Sequence, residues 1–177
     1  MAVNDLPVIL TERLELRPPV PDDFAVTGRI IAHPETARFL GTRPGQSDQF
    51  LRFMRGAGSW LLYGYGPFTL RLRSSGEVIG NCGLFHSWRD LGADFDDVPE
   101  AGWILAHDQV GRGLAGEAMG AALDWFDRAH GPRRVTCLIE AGNVASLALA
   151  ARLGFAAVRD APLVGGDIIH LLDRGRP

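Results

Sequence analysis

Between His107 and Gly120 the chain reads HDQVGRGLAGEAMG. Glycines let backbone amides approach an anion with no Cβ in the way. A helix that begins among them aims unpaired N–H groups and its positive dipole end at the same anion. Gly111, Arg112, Gly113, Leu114, Ala115 and Gly116 therefore suit a pyrophosphate, with Arg112 adding charge; the alternative is a tight strand-to-helix connection that binds nothing. Gly111, Gly113 and Gly116 also spell G-x-G-x-x-G, with a strand before, a helix after and Glu140 near the offset of a ribose-binding acid. Three features oppose that dinucleotide reading. HDQV separates the strand from Gly111, more than half the chain precedes the fingerprint, and too little follows Glu140 for the rest of a doubly wound sheet. A P-loop is a poorer match still, because no G-K-[ST] follows.

Further along, Asn143 and Ser146 open the apolar-periodic run VASLALAARLGF. Asn143 has the residue type and place of a helix N-cap, and Ser146 that of a helix-face serine bonding its own backbone. Glu100 and His86 stand at strand ends, where each has the structural reading of an ordinary strand residue beside that of a proton acceptor. The acidic run holding Asp90, Asp94, Asp96 and Asp97 reads as a solvated loop, or as a negative border that attracts an ammonium group. Cys82 and Cys137 sit in apolar strand-like runs and read as buried, inert thiols. The five histidines show no metal-ligand spacing, so no metal is expected.

The elements that must position these groups follow from period and punctuation. Val8–Pro19 alternates as one strand ended by prolines, and Pro21 with two acids starts a helix through His33. A second helical region, 34–62, is broken by GTRPGQ. The stretch 66–88 reads as a hairpin turning at Ser74-Ser75-Gly76. AGWILAH is a strand, the helix after the glycines ends at Gly131-Pro132, and RRVTCLIE is a strand. A short helix closes at Gly154, and two final strands follow. This order predicts a mixed α/β sheet with helices packed on it, in one domain spanning residues 1–177.

Composition narrows the function. The net charge of −3 argues against nucleic acid, and no apolar run approaches the roughly 20 residues of a membrane span. The opening lacks the pattern of a secretory signal, so a cytoplasmic location is expected. All 18 basic residues are arginine, which excludes lysine Schiff-base chemistry.

Taken together, VPEAGWILAHDQVGRGLAGEAMGAALDWF and VTCLIEAGNVASLALAARLGF resemble the GNAT N-acetyltransferase superfamily, and TERLELRPPVPDD resembles the opening of its RimJ/RimL-like branch. The resemblance spans about residues 9–172. It implies the GNAT fold: a mixed, mostly antiparallel sheet, helices on both faces, and a V-shaped opening between the fourth and fifth strands. It implies acetyl-CoA as cosubstrate, its pantetheine arm on Trp103, Ile104, Leu105 and Ala106, and its pyrophosphate on Val110 to Gly116. Val110 stands where Gln or Arg is common. Asn143 corresponds to a pantetheine-binding asparagine. Ser146 falls near the thioester sulfur, and Ala150 replaces a tyrosine that serves as acid in many members. Glu100 matches a common position for the base. The implied reaction is N-acetylation of an amine, either a protein N-terminus or a small molecule, by direct attack in a ternary complex; a homodimer is allowed. A sensor or scaffold that binds acyl-CoA without turnover stays open beside it, with a nicotinamide-dependent oxidoreductase behind both.

Overall fold

The computed structural model describes residues 6–40, 45–162 and 168–175. Gly41–Pro44 of the GTRPGQ break, the loop before the last strand, and the N-terminal MAVND lie outside them.

Eight strands form one sheet: β1 (Ile9–Leu10), β2 (Leu14–Arg17), β3 (Pro67–Leu72), β4 (Val78–His86), β5 (Pro99–Leu105), β6 (Val135–Glu140), β7 (Ala156–Pro162) and β8 (Ile168–Arg174). Their order is β1-β2-β3-β4-β5-β6-β8-β7, antiparallel throughout except for β5 and β6. The helices are α1 (Asp23–Ala32), α2 (Pro34–Ala37), α3 (Gln46–Tyr63), α4 (Leu114–His130) and α5 (Val144–Arg152). This is the mixed α/β fold that the element order predicts.

One expected strand is two. Val8–Pro19 folds back on itself, because Thr11 N–H donates to the Leu14 carbonyl at 2.9 Å and Leu14 N–H donates to Thr11 Oγ1 at 3.0 Å. The expected fourth and fifth strands are therefore β5 and β6.

Strand alternation sorts the two faces of the sheet. Leu14, Leu16, Phe68, Leu70, Cys82, Leu84 and Ala101 turn to the face covered by α4, whose Ala118, Met119, Ala122, Leu123 and Phe126 are buried against them. Arg17 and Thr69, paired across β2 and β3, turn to the opposite face. There Asp23 at the start of α1 accepts two bonds from Arg17 at 2.7 Å and one each from Thr69 Oγ1 and Val20 N–H at 2.9 Å. Burial works against the Asp23 charge, but these donors outweigh it and hold the carboxyl below its ordinary range. The fixed α1 forms one wall of the cavity described next.

Candidate active site

β5 and β6 run parallel and pair only at Glu100–Thr136 and Ala101–Cys137. Beyond that register they diverge, so from Gly102 to Leu105 one edge of β5 faces no strand. Backbone donors and acceptors left this way need partners. The expected V-shaped opening lies here, with Trp103, Ile104, Leu105 and Ala106 along its side. Gly80 of β4 makes room for this backbone: a Cβ on it would lie 2.1 Å from the Ile104 carbonyl oxygen.

β5 leads through a single 3-10 turn, His107–Gln109, into the glycine run. Gly111 and Gly113 adopt φ of 81° and 77°, the left-handed region that a side chain strains. Gly113 caps α4, and the first helical bond runs from Glu117 N–H to the Gly113 carbonyl at 3.1 Å. The N–H groups of Leu114, Ala115 and Gly116 thus have no intrahelical acceptor. A Cβ on Gly116 would sit in ordinary contact with Leu149 of α5, 3.6 Å away. Val110 is exposed and supplies backbone only. Arg112 donates to Gln109 Oε1, which draws it back along the loop. A second arginine, Arg13, donates to the Arg112 carbonyl at 2.9 Å and pairs with Glu117 at 2.6 Å. No signal in the local sequence links Arg13 to this loop.

Asn143 is the N-cap of α5: its Oδ1 accepts Ser146 N–H at 3.1 Å. Its amide nitrogen has no partner among the described residues. Ser146 Oγ accepts the Trp103 indole N–H at 3.2 Å, which ties α5 to β5 across the opening. That bond occupies an oxygen lone pair and leaves the hydroxyl hydrogen available as a donor. Ala150 is fully buried one turn further on.

On the α1 side of the sheet the opening widens into a cavity of about 470 Å³. Its walls include Phe24 and Thr27 of α1, Phe39, Arg52, Phe53 and Arg55 from the α2–α3 region, Asn81 and Phe85 of β4, Trp88, and Gly102 of β5. Residues of the segment from Phe39 to Trp60, and Trp88, thus stand where the acceptor pocket is expected. Trp60 itself, further along α3, does not line the cavity and is buried in the core instead. Ser146, Asn143 and Trp103 line the same cavity, so the proposed thioester and acceptor regions communicate.

Glu100 is 5% exposed at the sheet side of this cavity. Arg89 grips both its oxygens, Nε at 2.6 Å and Nη2 at 2.7 Å, and the Ser87 hydroxyl donates to it as well. Burial works against the Arg89 charge, but the Glu100 bonds outweigh it and hold Arg89 above its ordinary value. His86 is bonded at both ring nitrogens, to the Tyr65 hydroxyl at 3.1 Å and to Asp97 at 2.9 Å. Burial pushes the Tyr65 hydroxyl up to about 12, so it stays protonated near neutral pH.

The acidic loop does not border the acceptor mouth as a free negative charge. Asp94 pairs with Arg159, Asp96 accepts Arg89 N–H and Gly92 N–H, and Asp97 holds His86. None of them lines the cavity. The loop instead positions Arg89, and through it Glu100. Cys82 and Cys137 are buried, and burial pushes both thiols up. Among the described residues no cluster could hold a metal ion, and no helix is long and apolar enough to cross a membrane.

Comparisons with known proteins agree with this geometry. A family model for the acetyltransferase (GNAT) domain matches residues 13–156. The L-methionine sulfoximine/L-methionine sulfone acetyltransferases of two Pseudomonas strains are 33% identical over 107 residues, 60% of this chain and 60% of theirs. The match thus spans three fifths of those relatives. A Bordetella pertussis structure described as a GNAT-family acetyltransferase is 36% identical, with a TM-score of 0.84 over 95% of this chain and 99% of that one. An aminoglycoside acetyltransferase in complex with coenzyme A shares the fold, at 17% identity and a TM-score of 0.74 over 92% of this chain and 95% of the other.

Proposed function

The chain belongs to the acetyltransferase (GNAT) family, and on that premise we propose that it moves an acetyl group from acetyl-CoA to an amine by direct attack in a ternary complex. The observation that carries the reading is the divergence of β5 from β6 directly beside the amides of residues 111–116. An unpaired strand edge matches the amides of a pantetheine arm, and the helix start matches a pyrophosphate. Because the open cavity joins this slot from the α1 side, an acceptor and a thioester can meet there without a covalent enzyme intermediate. The relatives are named as acetyltransferases, which favours turnover over a sensor role. The opening segment TERLELRPPVPDD supports a RimJ/RimL-like branch, and the whole is read as one cytoplasmic domain.

Acetyl-CoA supplies an acyl group activated as a thioester. The protein's part is to hold it, admit the amine and move protons. Trp103 to Ala106 offer backbone to the arm, and the Asn143 amide nitrogen adds a donor. β5 amides near Leu105 can stabilise charge developing on the carbonyl oxygen. Glu100 takes the proton of the attacking amine through the Ser87 hydroxyl, which already donates to it. Ser146, its oxygen fixed by Trp103, turns its hydrogen toward the departing sulfur. With Ala150 in place of a tyrosine no second acid is at hand, and a thiolate of ordinary pKa near 8.5 leaves without one. Of the acceptors open from the sequence, the small-molecule end gains support from the methionine sulfoximine acetyltransferases, whose named substrates are small amines.

The test is release of free thiol from acetyl-CoA over a panel of amines and peptide N-termini. Acceptor-dependent release supports transfer. Tight coenzyme A binding with no release from any acceptor would return the protein to the sensor reading.

A further inference from the structure

The charges around the cavity are unequal in their partners. Besides the buried Cys137 thiol, six ionisable groups line it: Arg52, Arg55, Arg89, Glu100, Glu140 and His86. Arg89 and Glu100 neutralise each other in a two-bond fork, and His86 is held by Tyr65 and Asp97. Arg52 and Arg55, one turn apart on α3, make no hydrogen bond or ion pair among the described residues. Both side chains are exposed, because the cavity is open on this side. Partial desolvation and the neighbouring Arg89 and Arg55 charges push Arg52 below its ordinary value, against a smaller pull from Glu100. Two like charges held one turn apart repel until an anion joins them. Of the acids, Asp94, Asp96 and Asp97 have other partners and do not line the cavity, and Glu140 lines it from the end of β6 without an ion pair to either arginine.

We infer that the acceptor is an amino acid, a small primary amine that carries its own carboxylate, and that Arg52, backed by Arg55, receives that carboxylate at the α3 wall. The inference rests on the acetyl-transfer reading above and names the substrate class of that site. The guanidinium fork matches a carboxylate's two oxygens. With the carboxylate at α3, the amine end is left to face β5 and Glu100 across the cavity. A polycationic acceptor would bring further positive charge against two unpaired arginines and is disfavoured by the same arrangement.

The test uses the full chain with acetyl-CoA and a panel of α-, β- and γ-amino acids, each beside its primary amide. The expected result is that at least one free acid is acetylated about 10–100-fold more efficiently, as kcat/KM, than its amide, the usual worth of a charge-assisted bond. Arg52→Gln should remove most of that preference by raising KM for the acid far more than for the amide. Arg52→Lys should restore part of it. Coenzyme A affinity should stay the same in both variants, which shows that they are folded. Amides used as well as acids, or an equal loss for both in Arg52→Gln, would overturn the inference. If other amines react and no amino acid does, the inference falls and acetyl transfer stands. If nothing on any panel reacts, both fall.

Discussion

Replacing Glu100 by Gln separates proton transfer from architecture. Gln keeps the size of Glu100 but cannot take up a proton. In the structure Glu100 accepts three bonds, two from Arg89 and one from Ser87. Gln can keep at most the bonds to its oxygen, and its NH₂ then faces an Arg89 N–H. The lost charge-assisted bond should cost about 1–3 kcal/mol of stability, visible as a lower Tm. The kinetic cost is separate: kcat/KM should fall by about 10²–10⁴ at neutral pH. An amine of pKa about 10.4 is neutral to roughly one part in 2,500 at pH 7, so an unassisted enzyme depends on that fraction. The variant should therefore gain about tenfold per pH unit until the acceptor's own pKa is reached. For the α-amino group of a peptide N-terminus, with pKa about 8, the gain should level off near that pH.

Initial rates of thiol release from pH 6 to 10 read this out, with Arg89→Gln as the control. That variant disturbs the same ion pair but leaves the carboxylate in place. If Arg89→Gln loses as much as Glu100→Gln, and neither regains activity at high pH, Glu100 only holds the cavity in shape and the relay through Ser87 is wrong.

Three other substitutions probe the scaffold. Asp23 is held below its ordinary pKa, so its stabilisation is complete above the unfolded value near 3.9 and lost as pH falls through the lower folded value; Asp23→Asn should cost about 3 kcal/mol at pH 7 and flatten the loss of stability below pH 4 in denaturant titrations. Asn143→Ala should cost about 1 kcal/mol through the lost α5 cap and also weaken coenzyme A binding, whereas Asn143→Ser should recover most of the stability in thermal melts but not the affinity. Gly80→Ala should lower Tm sharply or prevent folding, because its Cβ would meet the Ile104 carbonyl, which has no flexible end to move; a Tm within a degree of wild type would show that β4 and β5 can part.

The parts of this site that a short stretch of chain encodes were legible beforehand. Gly111 and Gly113 need left-handed backbone, and the turn they make is local. Asn143 caps α5 through a bond three residues long. The hairpin of β3 and β4 and the stop of α4 at Gly131 are equally local. What escaped depends on groups far apart in sequence. Arg13 reaches the glycine loop from the turn between β1 and β2, almost a hundred residues earlier. Arg52 and Arg55 read as ordinary residues of an amphipathic helix, because nothing in α3 says which side faces a cavity. The acidic loop misled for the same reason: each of its main acids has a partner, but Arg159 and His86 lie elsewhere in the chain. The split of the first strand was hidden because Thr11 is a good strand residue, and only its hydroxyl bond to Leu14 makes the turn.

The central claim is that the slot between β5 and β6, with the amides that follow, seats acetyl-CoA. Amide hydrogen exchange with and without acetyl-CoA tests it directly. The account predicts slower exchange at 102–106 and at 111–116 on adding acetyl-CoA, with no change at either segment on adding NADPH. Saturating acetyl-CoA that leaves both segments unprotected, or NADPH that protects 111–116 instead, would contradict it.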